Sequence, residues 1–199
     1  MKQDRDSAVS PVVGVMLMLV VTIIIAAVVS GFAGGLVGEN KKAPQASIKV
    51  SPAIESIQDT NPSNWESDYP VGFTARNGLL FEHTGGDGFA LADIAIQIQS
   101  QDAKYTISLT DKIPSSTCLP TDVKKYLTEV GSSDGFITSG DKFMLNADNC
   151  RIDPMGSQIS WKPDGAAGGM GAYLNTRCEY AIIDRASQKV IQKGEFVLQ

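Results

Sequence analysis

The residues that could perform catalysis are few and scattered along the chain. The sequence contains one histidine, His83, which follows Glu82 and precedes a glycine-rich stretch at residues 85–88. Hydrolysis by a serine, histidine and carboxylate would have to use this histidine as its base. No nucleophile and orienting acid can be assembled around it from the sequence. We therefore expect His83 to be a polar residue at the end of a strand, and we expect no enzymatic activity.

Sites for metals, phosphate and cofactors are also not expected. Four residues could offer oxygen ligands to calcium, but their spacing is not that of an EF-hand loop: Asn146, Asp148, Asn149 and Asp153. The stretch Gly85–Gly88 lacks the helix and lysine that follow a phosphate-binding loop, so we interpret it as a hairpin turn. The cysteines have no zinc-site spacing. The sequence therefore predicts no cofactor and no metal.

Charge and length restrict the remaining classes of protein. The formal net charge is -5 and the isoelectric point is about 4.9. Such a chain has no basic surface that could release counterions from phosphates, so we expect no nucleic-acid partner. The 199 residues allow one membrane-competent segment and one globular domain of about 150 residues.

That segment is an uncharged apolar run from Ala8 to about Val37. Ser10 can cap a helix, and Pro11 suits its first position because the missing N–H needs no partner there. A helix from Pro11 to Val37 would reach about 40 Å, against a hydrocarbon core of about 30 Å. Its apolar side chains favour insertion by about 4 to 8 kcal/mol. The run is about twice as long as a secretory signal, so we expect it to stay in the membrane.

Small residues could bring copies of this helix close together. Four candidates for helix packing are Gly14, Ala27, Gly31 and Gly35. The last three are spaced four residues apart, which allows close approach of helix backbones. The alternative is that membrane helices simply contain more glycine than soluble ones.

The N-terminal sequence resembles the signature of archaeal type IV pilins. The resemblance is carried by AVSPVVGVMLM at residues 8–18, preceded by Arg5, Asp6 and Ser7. It implies a class III signal peptide, which a membrane-bound prepilin peptidase removes on the cytoplasmic side, before the apolar run. It also implies that the processed helix leaves the bilayer and packs into the core of a filament.

The same resemblance implies a cleavage site. The family pattern is a charged residue, a small residue and then the cut, which Asp6, Ser7 and Ala8 match, with Arg5 one position upstream. We expect cleavage between Ser7 and Ala8, so residues 1–7 would be the leader; cleavage after Ala8 is the alternative. Val12 stands where bacterial type IV pilins usually carry a glutamate, so assembly would depend on apolar packing.

The rest of the chain is expected to form an exterior domain. Glycines, charged residues and Pro44 follow the apolar run, which is typical of a helix end and a hinge. We therefore predict a helix over 8–38, a hinge over 39–46 and a domain over 47–199. Charges flanking the apolar run leave its orientation undecided. The pilin resemblance implies that the domain lies outside the cell.

Alternation of apolar and polar residues predicts strands in this domain. The predicted segments are 46–50, 91–99, 105–109, 136–138, 180–183 and 190–198. Short strands with polar turns indicate an antiparallel sandwich, Ig-like or pilin-type, so the fold class is α+β. Residues 59–69, 113–133 and 148–172 are expected to be loops, with a short helix over 121–130.

The pairing of the cysteines and the role of the tryptophans each have two interpretations. If the domain lies outside the cell, three cysteines would form one disulfide and leave one thiol. We favour Cys118–Cys150, with Cys150–Cys178 as the alternative. Trp65 and Trp161 could mark a subunit contact, but such residues more often cover a core.

The resemblance implies a structural subunit of a pilus-like filament that serves surface adhesion. Its partners would be copies of itself in a helical filament, the membrane, the prepilin peptidase and the pilus assembly platform. It would be found in the cell membrane and in the extracellular pilus. The alternative is a single-pass anchored surface protein or adhesin that does not polymerise.

Overall fold

The computed structural model describes residues 10–36, 42–55, 76–100, 103–115, 117, 119–148 and 158–199. The chain divides into two compact units between Lys41 and Lys42, so residues 42–46 of the predicted hinge lie in the second unit. Several predicted features lie outside the described residues: Arg5, Asp6, Ser7, Ala8, Trp65, Cys118, Asn149, Cys150 and Asp153.

The first unit contains one helix, α1, which spans Ser10–Leu36 and has 27 residues. Its first turn contains no acidic residue and its last turn no basic residue. Leucine and methionine favour a helix, and the β-branched residues in its middle are tolerated in an apolar medium.

The second unit is built from strands, of which twelve fall in the described residues. They are β1 (Ala46–Ala53), β2 (Gly78–Gly86), β3 (Phe89–Ala90), β4 (Ile94–Gln99), β5 (Lys104–Ser108), β6 (Leu127–Val130), β7 (Phe136–Ile137), β8 (Lys142–Asn146), β9 (Gln158–Trp161), β10 (Met170–Tyr173), β11 (Arg177–Asp184) and β12 (Lys189–Val197). A single turn of 3₁₀ helix, Leu91–Asp93, precedes β4. We refer to this second unit as the β-domain.

Two four-stranded antiparallel sheets form most of the β-domain. Their strand orders are β1-β2-β8-β6 and β12-β11-β4-β5, and two smaller pairs are β3-β7 and β9-β10. The large sheets face each other, since Phe81 of β2 meets Tyr180 of β11 edge to face at 6.0 Å between ring centroids. One apolar helix followed by antiparallel sheets confirms the predicted α+β class.

The core lies between these sheets and follows the alternation expected of strands. On β4, Ile94, Ile96 and Ile98 all point inward and are fully buried. From the opposite sheet, Phe81 and Phe143 stack with ring centroids 4.8 Å apart. Such packed aromatic and branched side chains stabilise the domain through the removal of apolar area from water.

The short helix predicted over 121–130 is wrong. Leu127–Val130 forms strand β6, and Leu127 pairs with Leu145 of β8. An apolar spacing over so few residues fits both a helical face and a turn that leads into a strand. The pairing with β8, which the local sequence does not show, decides between them.

Both described predicted loops contain strands, since β6 lies within 113–133. Residues 148–172 include β9 and the first three residues of β10, and Trp161 of β9 is fully buried in the core. Gly85–Gly88 is not a hairpin turn between paired neighbours. Gly85 and Gly86 end β2, which pairs with β1 and β8, and residues 87–88 lead into β3, which pairs with β7.

Candidate functional site

The most extensive exposed apolar surface in the described residues belongs to α1. The stretch Pro11–Gly31 is 21 residues long and by length and composition can cross a membrane. At about 1.5 Å per residue it spans about 31 Å, close to the thickness of a hydrocarbon core. Its side chains are exposed on every face, for example Val12 at 63%, Leu17 at 60% and Ile24 at 55%.

The helix also satisfies its own polar groups, as an apolar medium requires. A helix pairs its backbone groups internally, which is why it can cross lipid. The hydroxyl of Thr22 donates to the carbonyl of Leu19 at 2.9 Å. No residue between Pro11 and Gly31 is charged. Lipid or apolar side chains can therefore cover this surface without burying an unpaired charge.

The small residues of α1 make no close contacts within the described chain. A Cβ added at Gly14 or Gly31 would meet no described atom within 4 Å, beyond the helix's own backbone and neighbouring residues. Ala27 is exposed, and Gly35 lies in the helix but its surroundings are outside the description. Their role in helix packing stays a prediction about contacts between chains.

Comparison with known families identifies this region. Residues 7–48 match the family described as archaeal type IV pilin, N-terminal, which covers α1 and the first three residues of β1. The N-terminal region of this chain therefore carries the N-terminal domain of archaeal type IV pilins. This confirms the resemblance seen at residues 8–18. The match covers about a fifth of the chain. A comparison with curated proteins found no match.

The matched region contains α1. It includes the span Pro11–Gly31, which by length and composition can cross a membrane, as expected of a pilin subunit with an N-terminal membrane-anchoring helix. The exposed surface of α1 is therefore the candidate functional site. The β-domain lies outside the family match, so its polar residues are considered separately.

His83, the one candidate base, is buried within β2. Its side chain is 0% exposed and its ring lies 5.7 Å from that of Phe89. Nε2 is 3.0 Å from the carbonyl oxygen of Asp87, so it must carry the proton and donate. Nδ1 has no hydrogen-bond partner in the described part of the chain. This histidine holds a turn in place and is not accessible to a substrate.

Asn146 and Asp148, considered as calcium ligands, belong to a buried hydrogen-bond network. The hydroxyl of Tyr126 donates to Asp148 Oδ2, and the backbone N–H of Lys162 donates to the same oxygen at 2.6 Å. Asn146 Nδ2 donates to the carbonyl of Tyr126 at 3.0 Å and to Thr128 Oγ1 at 2.9 Å. The network connects β6, β8 and β9.

Burial perturbs both ionisable members of this network. Removal from water raises the pKa of the Asp148 carboxyl above its usual value, although the hydrogen bonds from Tyr126 and Lys162 oppose the shift. Burial and the neighbouring carboxyl raise the pKa of Tyr126 well above its usual range. No local pattern indicates this role for Tyr126, which lies within the helix predicted over 121–130.

Cys178 is a buried free thiol on β11. Burial raises its pKa, which makes it less reactive. The favoured pair, Cys118 and Cys150, lies outside the described residues, so that disulfide stays a prediction.

The start of the β-domain has its own set of contacts. Gln45 and Asp87 exchange two hydrogen bonds, and the side-chain amide of Gln192 binds both backbone groups of Ile48. The partners are 42 and 144 residues apart, so no local pattern in the sequence predicts them.

Proposed function

We propose that this chain is the subunit of a type IV pilus-like surface filament, held in the membrane by α1 before assembly. The observation that carries the proposal is the apolar, uncharged and exposed surface of residues 11–31. In water such a surface is strongly unfavourable, so it must be covered by another phase. Lipid covers it first, and the helices of neighbouring subunits cover it in the filament.

The uniform apolar surface of α1 supports the proposed move of this helix from lipid to a filament core. A helix that packs on its own domain carries an apolar stripe on one face and polar residues on the other. α1 is apolar all round and has 27 residues, which is about 40 Å and longer than a bilayer requires. A helix in a filament core is surrounded by copies on every side, so it needs this uniform surface.

The remaining parts of the proposal are supported by the family match alone. The leader, residues 1–7, is removed by a prepilin peptidase between Ser7 and Ala8, and an assembly platform extracts the helix from the membrane. The β-domain lies outside the cell and decorates the filament, where it serves adhesion. The role is structural and involves no catalysis.

Mass spectrometry of the native protein tests the processing step. We expect a mature N-terminus at Ala8. Replacing the small residue before the cut with a large one, Ser7→Leu, should leave the leader attached, whereas the matched variant Ser7→Ala should be processed normally. A start at Val9 would support the alternative site. A retained leader in the unaltered protein, or a start near Gly34, would contradict the prepilin assignment.

The second candidate is a single-pass anchored surface protein that never polymerises. It is favoured by the span Pro11–Gly31, which is long enough for an anchor by itself. Negative-stain microscopy of sheared cell-surface material separates the two candidates. Filaments that contain this chain support the subunit, whereas a chain that remains wholly in the membrane fraction supports the anchor.

A further inference from the structure

We propose that residues 43–48 form a linker clamp, which ties both large sheets of the β-domain to the segment that enters it from the N-terminal side. The clamp comprises these six residues and the side chains of Asp87 and Gln192 that hold them. Its use in transmitting tension from filament to domain rests on the proposed function, whereas its existence within the β-domain does not.

The first fastening is a reciprocal pair of hydrogen bonds. The backbone N–H of Gln45 donates to Asp87 Oδ2 at 3.0 Å, and the N–H of Asp87 donates to the Gln45 carbonyl at 2.8 Å. Beside them Ala43 is buried, at 4% exposure, although it precedes the first strand. Hydrogen bonds that accept on a carboxylate are among the stronger ones in proteins. The chain is therefore already fixed before β1 begins.

The turn that carries Asp87 fits tightly against this segment. Gly86 has a φ of +99°, and a Cβ at this position would lie 2.1 Å from the carbonyl oxygen of Gln45. Only glycine allows both this backbone conformation and this approach. Below the turn, His83 Nε2 donates to the Asp87 carbonyl at 3.0 Å and connects it to the buried end of β2.

The second fastening comes from the opposite sheet. Gln192 of β12 accepts from the N–H of Ile48 at 2.6 Å through Oε1, and its Nε2 donates to the Ile48 carbonyl. The same Nε2 lies 3.0 Å from the hydroxyl of Tyr180. The amide thereby pairs with β1 as a neighbouring strand would, next to the register shift between Ser47 and Ile48. It occupies backbone groups that an edge strand otherwise leaves free.

The two fastenings join the segment to different layers of the domain. Asp87 follows β2 of the first sheet, and Gln192 belongs to β12 of the second. Tension applied through Lys42 would therefore reach both sheets instead of peeling β1 from β2. This arrangement suits a domain that is held in a filament by its N-terminal segment alone.

Hydrogen exchange of the full chain in detergent tests the clamp without requiring any filament. In Gly86→Ala we expect the backbone amides of residues 43–48 to exchange about tenfold faster, because the turn must move off Gln45. Gly140→Ala is the matched control. Gly140 has the same φ of +99°, but a Cβ added there would meet no described atom within 4 Å beyond its chain neighbours. Exchange at residues 43–48 should therefore not change.

A second variant keeps the test decisive if Gly86→Ala fails to fold. Gln192→Leu replaces the amide side chain with an apolar one of similar size, and it should speed exchange at Ile48 by a similar factor. Unchanged exchange at 43–48 in this folded variant would overturn the proposal. Equal acceleration in Gly86→Ala and Gly140→Ala would also overturn it, since backbone strain alone would then be the cause.

Discussion

The helix and the β-domain use the same apolar residues in opposite ways. Ile24 of α1 is 55% exposed, whereas Ile96 of β4 is fully buried between two sheets. The β-domain thus removes its apolar side chains from water by folding on itself. The helix cannot, since its apolar surface has no partner within the described chain. One region carries its own core, and the other requires a core supplied from outside.

This difference separates what determines folding from what determines assembly. Changes inside the β-domain should alter its free energy of unfolding and leave membrane partitioning unchanged. Changes on α1 should do the reverse. Mutations in the two regions should therefore have effects that experiments can separate.

Truncation of a core aromatic should have the largest effect. Phe81→Ala removes a fully buried ring that stacks on Phe143, and we expect a loss of about 3–5 kcal/mol in the free energy of unfolding. Phe136→Ala is the control, since Phe136 is 48% exposed and should lose much less. Urea unfolding of the full chain in detergent measures both. Equal losses would show that burial does not determine the stability of the domain.

A charge introduced on α1 should weaken membrane insertion and leave the stability of the β-domain unchanged. Ile24→Asp replaces a favourable side chain with an acid at the centre of the span, which costs about 3–4 kcal/mol of insertion free energy. We expect the variant to shift towards the fraction extracted by alkaline carbonate, with unchanged urea unfolding of the β-domain.

The control for that experiment is an apolar residue of similar exposure on the β-domain. Val190 of β12 is 50% exposed, against 55% for Ile24. Val190→Asp should leave the membrane fraction unchanged and alter the free energy of unfolding by at most about 1 kcal/mol. If both aspartates release the chain from membranes, α1 is not the specific anchor.

Removal of one hydroxyl should weaken the buried network moderately. Tyr126→Phe leaves the Asp148 carboxylate without its side-chain donor, and we expect a loss of about 1–3 kcal/mol in the free energy of unfolding. Asp148 would then be harder to ionise, so the loss should grow as pH rises above the usual range for a carboxyl. A loss independent of pH would argue against this explanation.

Asp148 and Asp141 should contribute to the free energy of unfolding with pH dependences of opposite sign. The folded pKa of Asp148 is raised by burial, so its contribution is most favourable at low pH and is lost as pH rises through that pKa. Hydrogen bonds from the Thr138 hydroxyl and N–H lower the pKa of Asp141, so its contribution is present at neutral pH and is lost on acidification. Urea midpoints of Asp148→Asn and Asp141→Asn, each compared with the unaltered chain over roughly pH 3 to 7, should show the two slopes. Slopes of the same sign would contradict this assignment.

The sequence predicts those parts of the fold that depend on local pattern. The uniform apolar run defines α1, and the strands predicted over 91–99 and 180–183 overlap β4 and β11. In the helix the signal is the length of the apolar run, and in the strands it is the change of environment from one residue to the next.

What the sequence does not predict depends on distant partners. Leu127–Val130 is a strand because it pairs with β8. The glycine-containing β10 is a strand because it pairs with β9. The linker clamp is missed for the same reason, since Gln192 and Ile48 are 144 residues apart. For the candidate site, composition and the signature at residues 8–18 identify the helix surface, but contacts between copies cannot be read from one chain.

The most direct test of this account asks what covers α1. In solid-state NMR of chains labelled on isoleucine methyl groups and held in lipid bilayers, magnetisation should pass from lipid acyl protons to Ile23, Ile24 and Ile25. In sheared filaments that transfer should be lost, and transfer between isoleucines of neighbouring helices should replace it. Two results would contradict the claim that this surface exchanges lipid for copies of itself. The first is no magnetisation transfer from lipid in bilayers, and the second is transfer from lipid alone in sheared filaments.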